Sequence, residues 1–414
     1  MDISNHQTTP AQQKPLSVFA RIFCCVVLLV CSAALPLLTF YIGVEGFHPA
    51  IPILIFAVVM LLCITFMLTL CRKPLFLGCA IAGILLTALF GPWLASVFAA
   101  LLCATVAGAA LVADLKIKIS LLCGIPFVAA LYGITFALTG DPLLCASVLL
   151  PALTAFAFGI CYKKEYSIIV SIGVATGTLL VSFLALFVAG ALLGGMQPSA
   201  QGVTDLIKSY HEAITRLLVE SLQQTAELPE FADQLKLMFG GEITTEVMTE
   251  FSASVATAVI GMLPGACIML AWCFAFIANR GLTALMMRGV DKKDYPAFLI
   301  TYAPSVPSAI FMILCYAALM ISSFIPQGEI AVFVSLNLLM ALLPMMTVCG
   351  VLSIISNIKH APVKWPMLIT YALAVIFLGV ATVPMIAFFG SFAVITQSLA
   401  RALERKFKDF KGGQ

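Results

Sequence analysis

Runs of about 20 apolar residues follow one another from Phe19 to Leu193, parted only by short turns. Beyond Arg21, the basic residues of this stretch gather at three of those turns: Arg72-Lys73, Lys116 with Lys118, and Lys163-Lys164. A run of that length is what an α-helix needs to cross roughly 30 Å of hydrocarbon. Within hydrocarbon, helices and closed barrels alone satisfy every backbone polar group. The pattern therefore restricts the chain to a multi-pass helical membrane protein.

Composition agrees. Of 414 residues 62% are hydrophobic and 10% charged, and the mean hydropathy is +1.11, outside the range of soluble domains. The net charge of +3 conceals a separation, because Met196 to Phe251 holds nine acidic residues against Lys208, Arg216 and Lys236. If that segment faces outward, most other Lys and Arg side chains lie inside beside anionic headgroups, and they give no support to a nucleic-acid role. The fourteen cysteines lie in or beside apolar spans and read as small buried hydrophobes. Neither Cys24-Cys25 nor Cys267 with Cys273 has metal-site spacing or a nearby His, so no metal is expected.

Seven spans precede the acidic segment, at Phe19–Phe40, Pro49–Leu70, Leu75–Phe90, Leu94–Val112, Ile119–Leu138, Leu143–Cys161 and Ser167–Leu193. The second, fourth and sixth end at basic knots, which places those knots and the N-terminus in the cytoplasm. Lys14 and Arg21 before the apolar run Ile22–Leu35 resemble the start of a secretory signal, but the spans that follow argue for an uncleaved first helix. The 45- and 46-residue spacing of Lys73, Lys118 and Lys164 follows from two spans plus turns and needs no internal repeat.

In the acidic segment, Val203, Leu206, Ile207, Tyr210, Ile214, Leu217, Leu218 and Leu222 recur at helical spacing, and Pro229 opens a second short helix through Phe231, Leu235 and Phe239 that ends at Gly240-Gly241. Such helices lie on the bilayer, cap the bundle or bind a partner. The second half offers spans at Ser252–Ala278, Phe298–Phe324 and Ile330–Ile355, with basic loops at Arg280–Lys293 and Lys359–Lys364. The last apolar stretch, Met367–Ala400, is read as two short crossings turning near Pro384, with Pro384 and Gly390 as helix breakers, since this keeps the basic tail inside. The expected fold is thus all-α: a polytopic transmembrane bundle of about 11–12 spans with an extracytoplasmic amphipathic segment, in the cell membrane. Its parts are a cytoplasmic tail 1–18, an N-terminal bundle 19–195, the acidic segment 196–251, a C-terminal bundle 252–400 and a basic tail 401–414.

The spans contain essentially no Asp, Glu, Lys, Arg or His, whereas proton-coupled carriers need ionisable groups at depth. Glu45 and His48 sit at an outer turn, and Trp93 and Trp365 read as interfacial anchors. His6 and His211 are isolated, and His48 and His360 are assigned to opposite sides. No phosphate-cradling Gly loop, paired aspartates or Ser-His set is present. No enzymatic activity and no cofactor are expected, and ATP-driven transport would require a partner subunit.

Gly173 with Gly177, Gly190 with Gly194, and Gly261 with Gly265 are Gly-x-x-x-Gly pairs, and Ala95, Ala99, Cys103 and Ala107 form a small-residue stripe, all suited to close helix packing. Pro126, Pro264, Pro307 and Pro344 lie within spans and free backbone carbonyls toward a cavity or merely kink a helix. The polar side chains at depth are Asn337 and Thr347 near Pro344, and Tyr302, Ser305 and Ser308 beside Pro304 and Pro307. They are the candidates for lining a binding cavity; an interhelical hydrogen bond is the alternative role for Asn337.

Three stretches, LPGACIMLAWCFAFIANRGLTALMMRG from Leu263, NLLMALLPMMTVCGVLSIISNIKH from Asn337 and ALERKFKDF from Ala402, resemble the YybS-like family of uncharacterised bacterial membrane proteins; the earlier LPALTAFAFGICYKKEYS is similar in style. The resemblance implies a distant likeness to the substrate-capturing subunits of energy-coupling-factor vitamin transporters, which bind small vitamins and work with a membrane partner subunit and ATPases. This chain has more spans and a large acidic outer segment, and the resemblance transfers no functional residue. The expected function is a small-molecule uptake or substrate-binding subunit energised by partners. The alternative is a non-transporting membrane scaffold or regulator.

Overall fold

The computed structural model describes residues 101–139, 149–197, 199–227, 244–287, 290, 294–322, 324–325, 329–360, 369–371, 373 and 379–412, with single positions at 18, 22, 25, 231, 234, 237 and 239. Helix is the regular structure throughout them. In chain order the helices are α1 Leu101–Asp114, α2 Ile117–Thr139, α3 Leu149–Lys163, α4 Ile168–Leu193, α5 Ala200–Ala226, α6 Thr245–Met286, α7 Ala297–Ile300, α8 Val306–Ser322, α9 Glu329–His360 and α10 Thr382–Gly412, the last preceded by a 3₁₀ turn at Gly379–Ala381. Of the expected span Phe19–Phe40 only Ile22 and Cys25 are described, and the spans Pro49–Leu70 and Leu75–Phe90 lie outside the described residues, as do Arg72-Lys73, Glu45, His48, Trp93, Ala95, Ala99 and Trp365.

Five of these helices are long and apolar enough to cross a membrane: α2 over Ile117–Ile134, α4, α6, α9 over Ile330–Lys359 and α10 over Thr382–Glu404; α1, α3 and α8 are shorter apolar helices. Their outward faces carry large apolar side chains, such as Leu122 at 75% and Val181 at 69% exposed. In water such surfaces would be covered, whereas against lipid tails they cost nothing. The chain is an integral membrane protein with multiple passes.

The helix ends follow from local chemistry. α4 stops at a left-handed Gly195, with Met196 N–H donating to Ala191 C=O and Gly195 N–H to Leu192 C=O, the 6→1 and 5→2 bonds of a Schellman motif. α3 ends in the same way, but its left-handed residue is Glu165, at φ 54°. Lys163 closes this end by donating from its ammonium to Leu115 C=O, just beyond α1, a cation satisfying a helix C-terminal carbonyl. Ser199 caps α5 by accepting from Gly202 N–H at 3.0 Å, and Thr244 does the same for Val247 N–H in α6.

The sequence-derived boundaries change in three regions. The span expected at Ser252–Ala278 is part of a 42-residue helix, about 63 Å long at the α-helical rise. It begins within the acidic segment and holds Arg280 in its last two turns, not in a loop. The span expected at Phe298–Phe324 is broken: α7 ends at Ile300, residues 301–305 are non-helical, and α8 starts at Val306. Pro304 disfavours helix at Ala303, and Pro307 falls in the first turn of α8, where a missing N–H is harmless. Near the C-terminus the break lies at Gly379–Ala381, with Gly379 at φ +51°. Pro384 occupies the first turn of α10, and Gly390 continues that helix without a break.

The chain forms two compact units. The first comprises Met1–Leu186 and Ala271–Tyr302. Its core joins Val106 and Ala110 of α1, Phe158 of α3, Ile172 and Ala175 of α4, and Ala275, Ala278 and Leu282 of α6. Small residues permit the close approach: a methyl group on Gly108 would lie 2.9 Å from Ala155 Cβ, and one on Gly281 3.0 Å from a Val106 methyl. Cys103 and Ala107 of the small-residue stripe are buried in this unit.

The second unit comprises Phe187–Leu270 and Ala303–Gln414. Ala309, Met312 and Cys315 of α8, Leu339 and Met346 of α9 and Ala387 of α10 form its core. Tyr316 of α8 donates to Pro384 C=O at 2.8 Å, and its ring meets Phe388 edge-on at 5.3 Å. Of the Gly-x-x-x-Gly pairs, Gly261 and Gly265 lie at a helix contact; among the described residues nothing stands within 4 Å of a methyl added to Gly173 or Gly177, and Gly194 approaches only backbone of its own helix end.

Candidate functional site

In the first unit, Trp272, Phe276 and Arg280 recur every fourth residue and so share one face of α6. Trp272 and Phe276 stack with centroids 5.3 Å apart and planes 9° apart. The Arg280 guanidinium carbon lies 5.4 Å from the centroid of Phe276, a cation–π contact worth about 0.5–2 kcal/mol depending on desolvation. Tyr302, just beyond α7, presents its ring edge-on to Phe276 at 6.3 Å. Trp272, Phe276 and Tyr302 are partly buried against the core.

Beside Arg280, Asn279 is 6% exposed, and among the described residues its buried Oδ1 has no hydrogen-bond partner. Thr283 donates to the Asn279 backbone carbonyl at 2.9 Å. Thr176 Oγ1 of α4, in the same unit, is likewise buried and unpartnered. A buried polar atom without a partner costs about 1–3 kcal/mol, so such groups are natural anchoring points for a ligand or water. The arrangement provides a stack of aromatic rings, a guanidinium lying over one of them and, one residue before it in sequence, a buried amide oxygen.

Sequence reasoning selected Tyr302 from this group and missed the other four. The available signal was the i, i+4, i+8 recurrence of Trp272, Phe276 and Arg280, which the assignment of Arg280 to a loop obscured.

The other sequence candidates lie in the second unit. Asn337 bridges α9 to α6: its Nδ2 donates to Gly261 C=O at 2.6 Å and to Phe333 C=O at 2.8 Å, and its Oδ1 accepts from Gly265 N–H at 2.5 Å. Gly261 C=O and Gly265 N–H are the i, i+4 pair of the turn that contains Pro264. A proline weakens that turn by removing a donor and crowding the preceding carbonyl, and in a membrane the exposed groups must be satisfied by a neighbouring helix. Asn337 supplies both partners. Ser305 and Ser308 hydrogen-bond to each other at 2.7 Å, and Ser305 caps α8 by accepting from Ser308 N–H. Thr347 donates to Leu343 C=O within α9 at 2.7 Å. No hydrogen bond joins the serine pair to Asn337 or Thr347, so the structure assembles no single polar cluster from these residues.

Among the described residues, no three His, Cys, Asp or Glu side chains gather as a metal-binding group. Comparison of the chain with family models, curated proteins and solved structures returns no match.

Proposed function

We propose that this chain is a membrane subunit that binds a small organic solute for uptake and depends on partner proteins for energy. The observation that carries the reading is the Trp272–Phe276–Tyr302 aromatic group with Arg280 and the unpartnered Asn279 amide oxygen beside it. Aromatic walls with a few polar groups are the usual composition of a small-molecule site, and a cation in a membrane helix is by default a functional candidate. A planar solute with an anionic group fits this chemistry: its ring would stack on the aromatic face and its charge would pair with the guanidinium.

The distant likeness to substrate-capturing subunits of energy-coupling-factor transporters that the sequence resemblance implies supports the same reading, as does the interrupted segment α7–α8, since broken helices are common where transporters hold solutes. No catalytic set is proposed. The absence of Asp, Glu and His from the expected spans argues against a proton-driven carrier.

The test is an uptake screen over a broad panel of aromatic and vitamin-like solutes in cells with and without the protein, combined with mass spectrometry of the purified complex. Solute-specific uptake that requires the protein and is abolished by Arg280→Ala supports the proposal. Unchanged uptake across the panel, with no bound solute and no ATPase subunit recovered, overturns it in favour of a non-transporting scaffold.

A further inference from the structure

We propose that α5 is an interfacial helix, seated on the bilayer surface with Val203, Ile207, Tyr210 and Leu217 immersed in lipid. α5 has 27 residues and none of them is buried. It is held on one side: His211 Nε2 lies 3.1 Å from both Ala253 C=O and Thr257 Oγ1 of α6. The four apolar residues point elsewhere and are 47%, 50%, 49% and 66% exposed. At about 100° per residue, they form one stripe, roughly opposite Asp205, Glu212 and Arg216, with the His211 side between them. Lipid below, water above and protein alongside is the arrangement that these three faces require.

What covers the stripe follows from its continuity with a lipid-facing surface. Tyr210 packs its ring on Phe187 of α4 at 6.1 Å. Phe187, Val188, Leu192 and Leu193 are 42%, 41%, 43% and 69% exposed on a membrane-spanning helix. The apolar surface of the span therefore runs onto the stripe of α5 through one aromatic contact.

A second copy of the chain fits less well. The stripe, with Ile214, has the 4-3-4-3 spacing of a coiled-coil seam, but its flanks offer Leu206, His211, Ala213 and Leu218, with Glu220 the one charge. Pairing two copies would gain no complementary charges. The polar face holds Asp205, Glu212 and Glu220 against Lys208 and Arg216, so seating depends on apolar burial and not on anionic lipid.

The experiment places a nitroxide-bearing unnatural amino acid at position 217 and, separately, at position 212, in the full-length protein reconstituted in zwitterionic phosphatidylcholine vesicles. Power-saturation EPR then compares collision with oxygen, which concentrates in lipid, and with a water-soluble nickel chelate. The expected result is an oxygen-to-nickel accessibility ratio clearly higher at 217 than at 212, unchanged when part of the lipid is replaced by phosphatidylglycerol. Equal ratios at the two positions would place the stripe in water and overturn the proposal. Protection of position 217 from both reagents would also overturn it, by showing that protein, a second copy included, covers the stripe.

Discussion

Gly350 of α9 and Gly390 of α10 meet backbone to backbone: a methyl group added to Gly390 would lie 2.6 Å from the Gly350 nitrogen and 3.1 Å from its Cα. The contact is reciprocal, since a methyl on Gly350 would strike the backbone carbonyl of Ile386, one turn before Gly390. Backbone cannot move aside as a flexible side chain can, so the two helices would have to separate.

Gly390→Ala and Gly350→Ala are each expected to destabilise the protein by about 1–3 kcal/mol. Gly173→Ala, where nothing among the described residues stands within 4 Å, should be neutral or slightly stabilising. Unfolding of the three variants in mixed micelles, followed by pulse proteolysis, measures the order; equal losses at positions 173 and 390 would contradict it.

Asn337→Ala removes the partner of Gly265 N–H and of Gly261 C=O at once. The expected loss is about 1–2 kcal/mol, toward the upper end for membrane hydrogen bonds. Thr347→Val, which removes a hydroxyl that donates to a carbonyl of its own helix, should cost less. If Asn337 compensates for Pro264, a double-mutant cycle with Pro264→Ala should yield a coupling energy of about 0.5 kcal/mol or more. Additive losses would detach the two residues.

Glu165 holds a left-handed backbone at φ 54° with a side chain that disfavours it. Glycine removes that strain, as it does at Gly195, where α4 ends in the same motif. Glu165→Gly should raise stability by up to about 1 kcal/mol, visible as a higher unfolding midpoint; a lower midpoint would mean that the carboxylate has a role of its own.

Cys123 is exposed on α2, none of whose span is buried within the protein, whereas Cys103, Cys161, Cys315 and Cys349 are buried. Because a thiol facing hydrocarbon does not ionise, Cys123 should resist a charged, water-soluble maleimide in intact membranes and react with it once the protein is unfolded in detergent, a contrast that mass spectrometry of labelled peptides resolves. Ready reaction with the charged reagent would place α2 against water.

Membrane class and most described helix positions were legible because both depend on local quantities: the length of an apolar run and the turn residues at its ends. Ile119–Leu138 and Ser167–Leu193 were recovered to within two residues at each end, and the periodic face of α5 was read correctly as a helix. The Phe298–Phe324 span was misjudged because hydropathy averages over a break, although Pro304 and Pro307 announced it. Gly390 was read as a breaker because a glycine's local preference cannot reveal that another helix presses on it. The partner of Pro264 was beyond reach for the same reason: Asn337 lies 72 residues after Gly265, and no periodicity links the two. The aromatic face around Arg280 was hidden by treating a charge as the mark of a loop, when an arginine near a helix end can lay its guanidinium on a ring one turn back.

The amide of Asn337 grips two backbone groups that belong to a single turn, and this gives the α6–α9 crossing a register. Sliding one helix past the other by one residue, about 1.5 Å, would break both bonds together, and the next comparable match would require another glycine pair flanking a proline. This crossing therefore has one seated position and no graded series of intermediates, which makes it a fixed point for whatever motion the remainder of its unit performs.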